Sequence, residues 1–206
     1  VELVPLMLVK SNVPTIESVK PYSPLELEGR DIYIREGCNN CHSQMIRPFR
    51  SEIERYGEYS KAGEFVYDFP FLWGSRRTGP DVHRIGGKYN DNWHFNHMLD
   101  PRSTSPGSIM PRYSWLIKND LNASDLESKM NALVKLGVPY SEEEIAGAKQ
   151  ALLAQAKTIE GNLRQDPEFV KNYGNSAIQN KEITALIAYL QRLGTDIKVN
   201  STTALK

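Results

Sequence analysis

Cys38-Asn39-Asn40-Cys41-His42 constrains this chain more than any other stretch. Two thiols three positions apart, followed directly by an imidazole, spell C-x-x-C-H, the signature of covalent c-type haem attachment. The spacing has a chemical reason. Two thiols on one turn can each add across a vinyl group of the same porphyrin, and the imidazole that follows is held beneath the iron as its proximal ligand. A bare C-x-x-C also serves zinc sites and thiol–disulfide enzymes. Here the chain has only two cysteines, both inside the motif. That rules out a four-cysteine zinc site, and with both thiols on haem no structural disulfide can form. A redox dithiol or a mixed metal site is the alternative left.

A chain of 206 residues is long enough for a real core and reads as one domain, with or without a large insertion. Lys plus Arg number 25, as do Asp plus Glu. With no net charge there is no global basic field to attract nucleic acid. Steering of a partner would come from local patches such as Arg76-Arg77.

The first nine residues are apolar apart from Glu2 but fall short of the roughly 20 that span a bilayer, and Lys10 ends them. They lack the basic start and small-residue cleavage site of a signal peptide. They read either as a packed terminal strand or as the exit of a membrane helix. Residues 11–22, with Pro14 and Pro21, read as an extended linker. The expected division is a membrane-proximal segment over 1–22 and a domain over 23–206.

The domain opens at Ser23-Pro24-Leu25-Glu26, an N-cap serine with proline at N1 and a glutamate placed to close a capping box. The pattern predicts a helix over 24–36, stopped by Gly37 just before the motif. Gly29 shares a face with Tyr33. Glycine inside a helix costs about 1 kcal/mol against alanine, which the close approach of another helix would justify. The partner expected is the last helix, over 180–193, which carries Ile183, Leu186, Ile187, Leu190 and Leu193 and is stopped by Gly194. Tyr33 should meet its Leu186 or Tyr189.

Between these helices, residues 47–73 hold eight aromatics without a sustained period. Such an irregular loop is expected to cover a haem edge or meet a partner. Residues 118–176 read as a surface-like helical insertion. Leu126, Met130 and Leu133 mark one helix, and Ser141-Glu142-Glu143-Glu144 is a second capping box. It opens a long helix striped by Ile145, Leu152, Ile159 and Leu163, the pair forming a hairpin across Gly137-Val138-Pro139. Residues 195–206 read as a polar, frayed tail.

Thr78-Gly79-Pro80-Asp81 and Gly86-Gly87 lack the lysine and serine of a phosphate loop and suit backbone wrapping around a flat cofactor. His83, His94 and His97 read as ordinary hydrogen-bonded histidines rather than a metal set. For the sixth iron ligand the candidate is Met110, since Pro111 fixes its own φ and restricts the residue before it. Met98 is the rival methionine, and His94 and His97 stay open as alternatives. Met7 and Met130 read as packing residues.

Taken in order, an N-terminal helix, C-x-x-C-H, T-G-P-x-V, a late methionine and a terminal helix resemble class I cytochrome c, hence an all-α fold. More narrowly, residues 29–48, then Trp73-Gly74-Ser75-Arg76-Arg77-Thr78-Gly79-Pro80-Asp81, Gly86-Gly87-Lys88-Tyr89 and Met110-Pro111-Arg112-Tyr113 resemble the mono-haem subunit of cbb3-type cytochrome c oxidase, its subunit II. The resemblance is dense over about 20–117. It implies one covalent haem c, with Cys38 and Cys41 as thioether donors, His42 proximal and Met110 distal. Pro80 matches the proline whose carbonyl orients the proximal imidazole. Trp93, Arg76, Arg77 and Arg112 are candidates for the haem propionates. The family passes single electrons from a di-haem cytochrome c subunit or soluble donor to the catalytic haem–copper subunit. The chain itself would carry electrons, while the complex reduces oxygen; the alternatives are another c-type electron carrier, of the nitric-oxide-reductase type or a free shuttle, and a thiol–disulfide redox protein. The resemblance also implies an N-terminal membrane helix and a periplasmic domain at the bacterial inner membrane.

Overall fold

The computed structural model describes Val4 and residues 15–197. The expectations for the apolar start, for Met7 and Pro14, and for most of the tail lie outside the described residues. Within them the regular structure is helical, with one isolated bridge between Asp120 and Lys181.

Helix α1 spans Pro24–Arg35. Its capping box is present: Ser23 Oγ accepts from the Glu26 amide at 3.4 Å, and Glu26 accepts from the Ser23 amide at 2.8 Å. Gly37, at φ +71°, turns the chain from this helix into the 3-10 turn Cys38–Asn40. The left-handed backbone there is what glycine supplies without strain.

The helix at the other end of the chain, Glu182–Arg192, is buried from Glu182 to Leu190. The two helices cross at Gly29. A β-carbon on Gly29 would lie 1.9 Å from the Ala185 carbonyl oxygen and 2.8 Å from Tyr189 Cβ, so only hydrogen fits. Tyr33 meets Tyr189 at 5.3 Å between ring centroids, and Tyr22 packs on the same ring at 5.7 Å. Of the two expected partners for Tyr33, Tyr189 is thus a direct ring contact. Arg35 bonds Glu182 at 2.7 and 2.8 Å, tying the far ends of the two helices together.

The remaining helices, in order, are α2 (Arg50–Tyr56), α3 (Asp91–Leu99), α4 (Pro101–Thr104), α5 (Leu126–Lys135), α6 (Glu142–Ala146), α7 (Ala148–Leu163) and α8 (Pro167–Tyr173), which makes the last helix α9. Three features differ from the sequence reading. The stretch 47–73 is not irregular throughout, since α2 and the 3-10 turn Ala62–Phe65 lie within it. The expected long helix is divided at Gly147 into α6 and α7. In α7 the apolar stripe read from the sequence faces the core: Leu152, Ala156, Ile159 and Leu163 are buried in the core it shares with α1 and α9. Helix α8 was not foreseen. Its Phe169 and Tyr173 pack edge-on against Phe95 of α3, at 5.1 and 5.2 Å.

The segment 47–73 is fastened to α1 from below. Arg30, almost fully buried, pairs with buried Asp68 at 3.3 Å and donates to the carbonyls of Phe69 (3.1 Å) and Pro70. Phe65 and Leu72 are buried, whereas Phe69, Phe71 and Trp73 are half-buried, with Phe71 and Trp73 stacked at 4.6 Å. The aromatics that face outward are Phe49 and Tyr59. At the ends, Val19 is buried, Asp196 pairs with Arg192 and Ile197 is buried, so the residues flanking the domain at 19–22 and 195–197 pack against it.

Candidate haem site

The motif is built where α1 ends. Cys41 and His42 both donate their amides to the Cys38 carbonyl, at 3.2 and 2.9 Å, which closes a single tight turn. Cys38 is half-buried against the core and Cys41 is exposed. Burial, with the neighbouring Glu36 carboxylate and Cys41, pushes the Cys38 thiol up to about 12.

The chain returns past this turn as Thr78-Gly79-Pro80-Asp81-Val82. Gly79 N–H donates to the Cys41 carbonyl at 3.0 Å and Val82 N–H to the Ser43 carbonyl at 2.9 Å. Asp81 locks the two strands of chain together, accepting from Ser43 Oγ at 2.6 Å and from the Met45 and His83 amides at 2.9 Å each. Behind the turn, Gly74 lies so near Asn39 and Ser43 that a β-carbon would stand 3.1 Å from the Asn39 carbonyl oxygen.

This docking aims His42. Its Nδ1 lies 2.8 Å from the Pro80 carbonyl oxygen. A carbonyl can only accept, so Nδ1 carries the hydrogen and Nε2 keeps its lone pair. Gly79 lies against the ring: a β-carbon there would come within 2.3 Å of His42 Cε1. The imidazole is therefore pinned in tautomer and plane before any ligand is considered. Gly79 stood in the sequence only as part of a string; its contact with His42 could not be read there, because the two are far apart along the chain.

Helix α3 and the segment after it carry the remaining candidate residues. Tyr113 N–H donates to the Met98 carbonyl at 2.8 Å, which ties the Met110 loop to α3. Trp115 Nε1–H donates to Glu36 at 3.1 Å, tying the same loop to the end of α1. Met110 is half-buried and packed against the core, its amide bonded to Ser108 Oγ at 3.2 Å. Tyr113 is near enough to the thiols that Cys38 and Cys41, after burial itself, raise its hydroxyl above the usual range. Met98 and Met130 are buried among core residues.

On α3, Trp93 is half-buried and stacked between Tyr89 (3.9 Å) and His97 (4.6 Å). Burial, then the nearby His42, pushes His97 down to about 4. Burial likewise brings His94 to about 4, and its Nε2 is buried without a hydrogen-bond partner. His83 is hydrogen-bonded to Ser60 Oγ at 2.6 Å. Among the described residues no group of three or more His, Cys, Asp or Glu side chains is placed to hold a metal ion.

The three arginines fall in different places. Arg77 is committed within the protein: it bonds Ser43 Oγ (2.8 Å), the Met45 carbonyl (2.8 Å) and Glu52 (2.6 Å), and lies over the Tyr56 ring. Arg112 pairs with Asp100 at 2.7 Å. Arg76 is exposed.

An all-α fold with C-x-x-C-H at the end of its first helix, closed by a terminal helix crossing the first, defines a cytochrome c-like domain. Comparison with protein families then gives the particular one. The model of the family described as cytochrome c oxidase, mono-haem subunit/FixO, matches residues 1–197, and the chain belongs to that family. It is thus a mono-haem subunit of a cbb3-type oxidase and associates with other oxidase subunits. A search of curated proteins found no match. Among the described residues no helix is long and apolar enough to cross a membrane.

The donor set fits a haem iron. His42 presents a neutral Nε2 lone pair with its other nitrogen satisfied, which is how a metal-binding imidazole is held. The missing side chain at Gly79 leaves the ring its plane.

Proposed function

We propose that this subunit carries single electrons through one haem c, which Cys38 and Cys41 would hold through thioethers and to whose iron His42 Nε2 and Met110 Sδ would donate. The observation that bears most weight is His42, held by the Pro80 carbonyl and by Gly79 directly after the cysteine pair. The haem supplies the one-electron chemistry; the protein sets geometry and potential.

Each part has a task. The bond from His42 Nδ1–H to Pro80 keeps the ligand neutral and raises its basicity. A soft thioether opposite raises the potential. The buried core packed against Cys38 would keep water from a haem attached there. Trp93 and exposed Arg76 are the residues proposed to meet the propionates, with Arg77 and Arg112 held back by their own carboxylate partners.

In the assembled oxidase the electron passes from a di-haem cytochrome c subunit or soluble donor to the catalytic haem–copper subunit. The domain works on the periplasmic face of the bacterial inner membrane, held there by an N-terminal helix. The outward aromatic surface at Phe49 and Tyr59 is the proposed contact with the catalytic subunit.

The alternative, a thiol–disulfide enzyme, needs an attacking thiolate with a lowered pKa. Burial raises the Cys38 thiol instead, the opposite of what exchange needs. Spectroelectrochemistry on the holoprotein tests the main reading: a reversible one-electron wave with the spectrum of a low-spin haem is expected. In the oxidase the reduced haem should be reoxidised by oxygen only when the catalytic subunit is present. A two-electron dithiol wave with no haem spectrum would overturn the proposal.

A further inference from the structure

We infer that Asp81, steadied by Ser43 and Arg77, is a positioning residue for the proximal imidazole: it holds the Pro80 carbonyl on His42 Nδ1 and thereby helps to set the haem potential. The inference deepens the proposed haem binding and rests on it.

The loop itself shows why such a residue is needed. The carbonyl that takes the His42 hydrogen, at 2.8 Å, belongs to Pro80. Pro80 and Thr78 are exposed, as are Gly74, Ser75 and Arg76, and the stretch holds no helix or strand. Water competes for both ends of a hydrogen bond in such a place, so the bond depends on the loop being held still. Proline fixes its own φ but has no amide hydrogen with which to tie itself down. From Gly74 onward, the first buried residue is Asp81. Its side chain is wholly enclosed.

What Asp81 holds lies on both sides of the imidazole bond. Its Oδ2 accepts from Ser43 Oγ at 2.6 Å and from the Met45 amide at 2.9 Å, both on the stretch that leaves His42. Its Oδ1 accepts from the His83 amide at 2.9 Å, on its own loop. The pairing is in register. Gly79 N–H bonds the Cys41 carbonyl at 3.0 Å, Pro80 bonds His42, and Asp81 bonds Ser43. The imidazole bond is thus the middle rung of three. Arg77 supports the third rung: its Nε donates to Ser43 Oγ at 2.8 Å, leaving the hydroxyl hydrogen for Asp81, and its Nη2 lies 3.6 Å from Asp81 Oδ2.

A hydrogen bond from Nδ1 to an oxygen makes the imidazole a more basic ligand, which favours ferric iron. Loosening the third rung should weaken that bond and raise the potential. Loss of an enclosed negative charge would raise it too, so position has to be told apart from charge. Ser43 allows this, because its hydroxyl is part of the rung and carries no charge.

The test uses the holoprotein with Asp81→Asn and, separately, Ser43→Ala. Asparagine presents an NH2 group where three donors converge; alanine removes one hydroxyl and leaves the backbone pairing in place. The readouts are the reduction potential and, by proton NMR of the ferrous protein, the solvent exchange of the His42 Nδ1 hydrogen. Both variants should raise the potential and speed the exchange up to about tenfold, the factor that one hydrogen bond of ordinary strength corresponds to, while the haem stays low-spin and attached. If Asp81→Asn fails to hold haem, Ser43→Ala decides alone. A Ser43→Ala protein with wild-type potential and exchange overturns the positioning role, even where Asp81→Asn raises the potential, since charge alone then acts. A wild type with no low-spin haem overturns the haem reading itself, and this inference with it.

Discussion

The crossing of α1 and α9 and the looped region from Ser43 to His83 are held together by opposite means. The crossing is apolar and close. Its determining contact is an absent side chain, at Gly29, against the Ala185 backbone, and its flanks are rings: Tyr22, Tyr33 and Tyr189. The looped region has few ladders of its own and is pinned by buried or half-buried ions. Arg30 with Asp68, Arg77 with Glu52 and Asp81, and Arg84 with Glu64 each fasten one stretch of chain to another. The crossing gives a rigid base from which the haem motif springs at Gly37. The ions give irregular backbone the definition that hydrogen-bonded helices would otherwise supply. Packing forgives little change of volume, and buried ion pairs forgive little change of charge.

The largest effect should come from unpairing a buried ion. Arg30→Met removes the cation paired with buried Asp68 and frees the carbonyls of Phe69 and Pro70. Removing one partner of such a pair costs about 3–5 kcal/mol. A denaturant titration of the holoprotein should show the unfolding free energy fall by that amount, with the loop aromatics losing near-UV ellipticity first. An unchanged midpoint would mean the pair is incidental to the loop.

Next is the crossing. Overpacking usually costs about 1–3 kcal/mol, and with 1.9 Å to a backbone oxygen Gly29→Val should reach the upper end. The melting midpoint of the holoprotein reads it. Gly29→Val with Tyr189→Ala should recover little, because the closest clash is with backbone.

A smaller effect depends on pH. Hydrogen bonds from Arg77, then those from Arg47, hold the Glu52 carboxyl down to about 2, whereas an unfolded glutamate titrates near 4.3. Because the folded value is the lower one, the stabilisation is complete above about 4.3 and is lost as the pH falls through about 2. The wild type should therefore melt above Glu52→Gln at pH 6, and the margin should close between about pH 4 and pH 2. A margin that stays constant over that range would show the carboxylate charge is not what matters.

The smallest is a control on the surface. Arg50 and Glu54 form an exposed i,i+4 pair on α2, and Arg50→Ala should cost no more than about 0.5 kcal/mol. A loss comparable with that of Arg30→Met would erase the distinction between buried and exposed ions on which the comparison stands.

The same contrast explains how much was legible in the sequence. The crossing could be read because its signals are local: a Ser23–Glu26 box, Gly29 out of place inside a helix, Gly37 as a stop, and the apolar period of α9. The cysteine pair and His42 could be read for the same reason. The ion pairs could not, since Arg30 and Asp68, or Arg77 and Glu52, are joined only by the fold. Helix α2 escaped because Phe49 at its N-cap makes no side-chain capping bond. Helix α8 did carry a signal, Asp166 as cap with Pro167 at N1, which the pattern of the preceding long helix hid. The division at Gly147 was equally visible in the sequence, and the apolar stripe running through it carried the eye across. Of the distal candidates, Met98 is buried in the core and Met110 is half-buried on the loop tied to α3; sequence order alone could not place them.

The central claim is that Cys38 and Cys41 hold haem covalently, with His42 aimed at its iron. Acid–acetone extraction of the protein made with haem-attachment machinery tests it most directly. The account predicts that the colour stays with the polypeptide, and that Cys38→Ala with Cys41→Ala releases it to the solvent. Colour extracted from the wild-type protein would contradict the account.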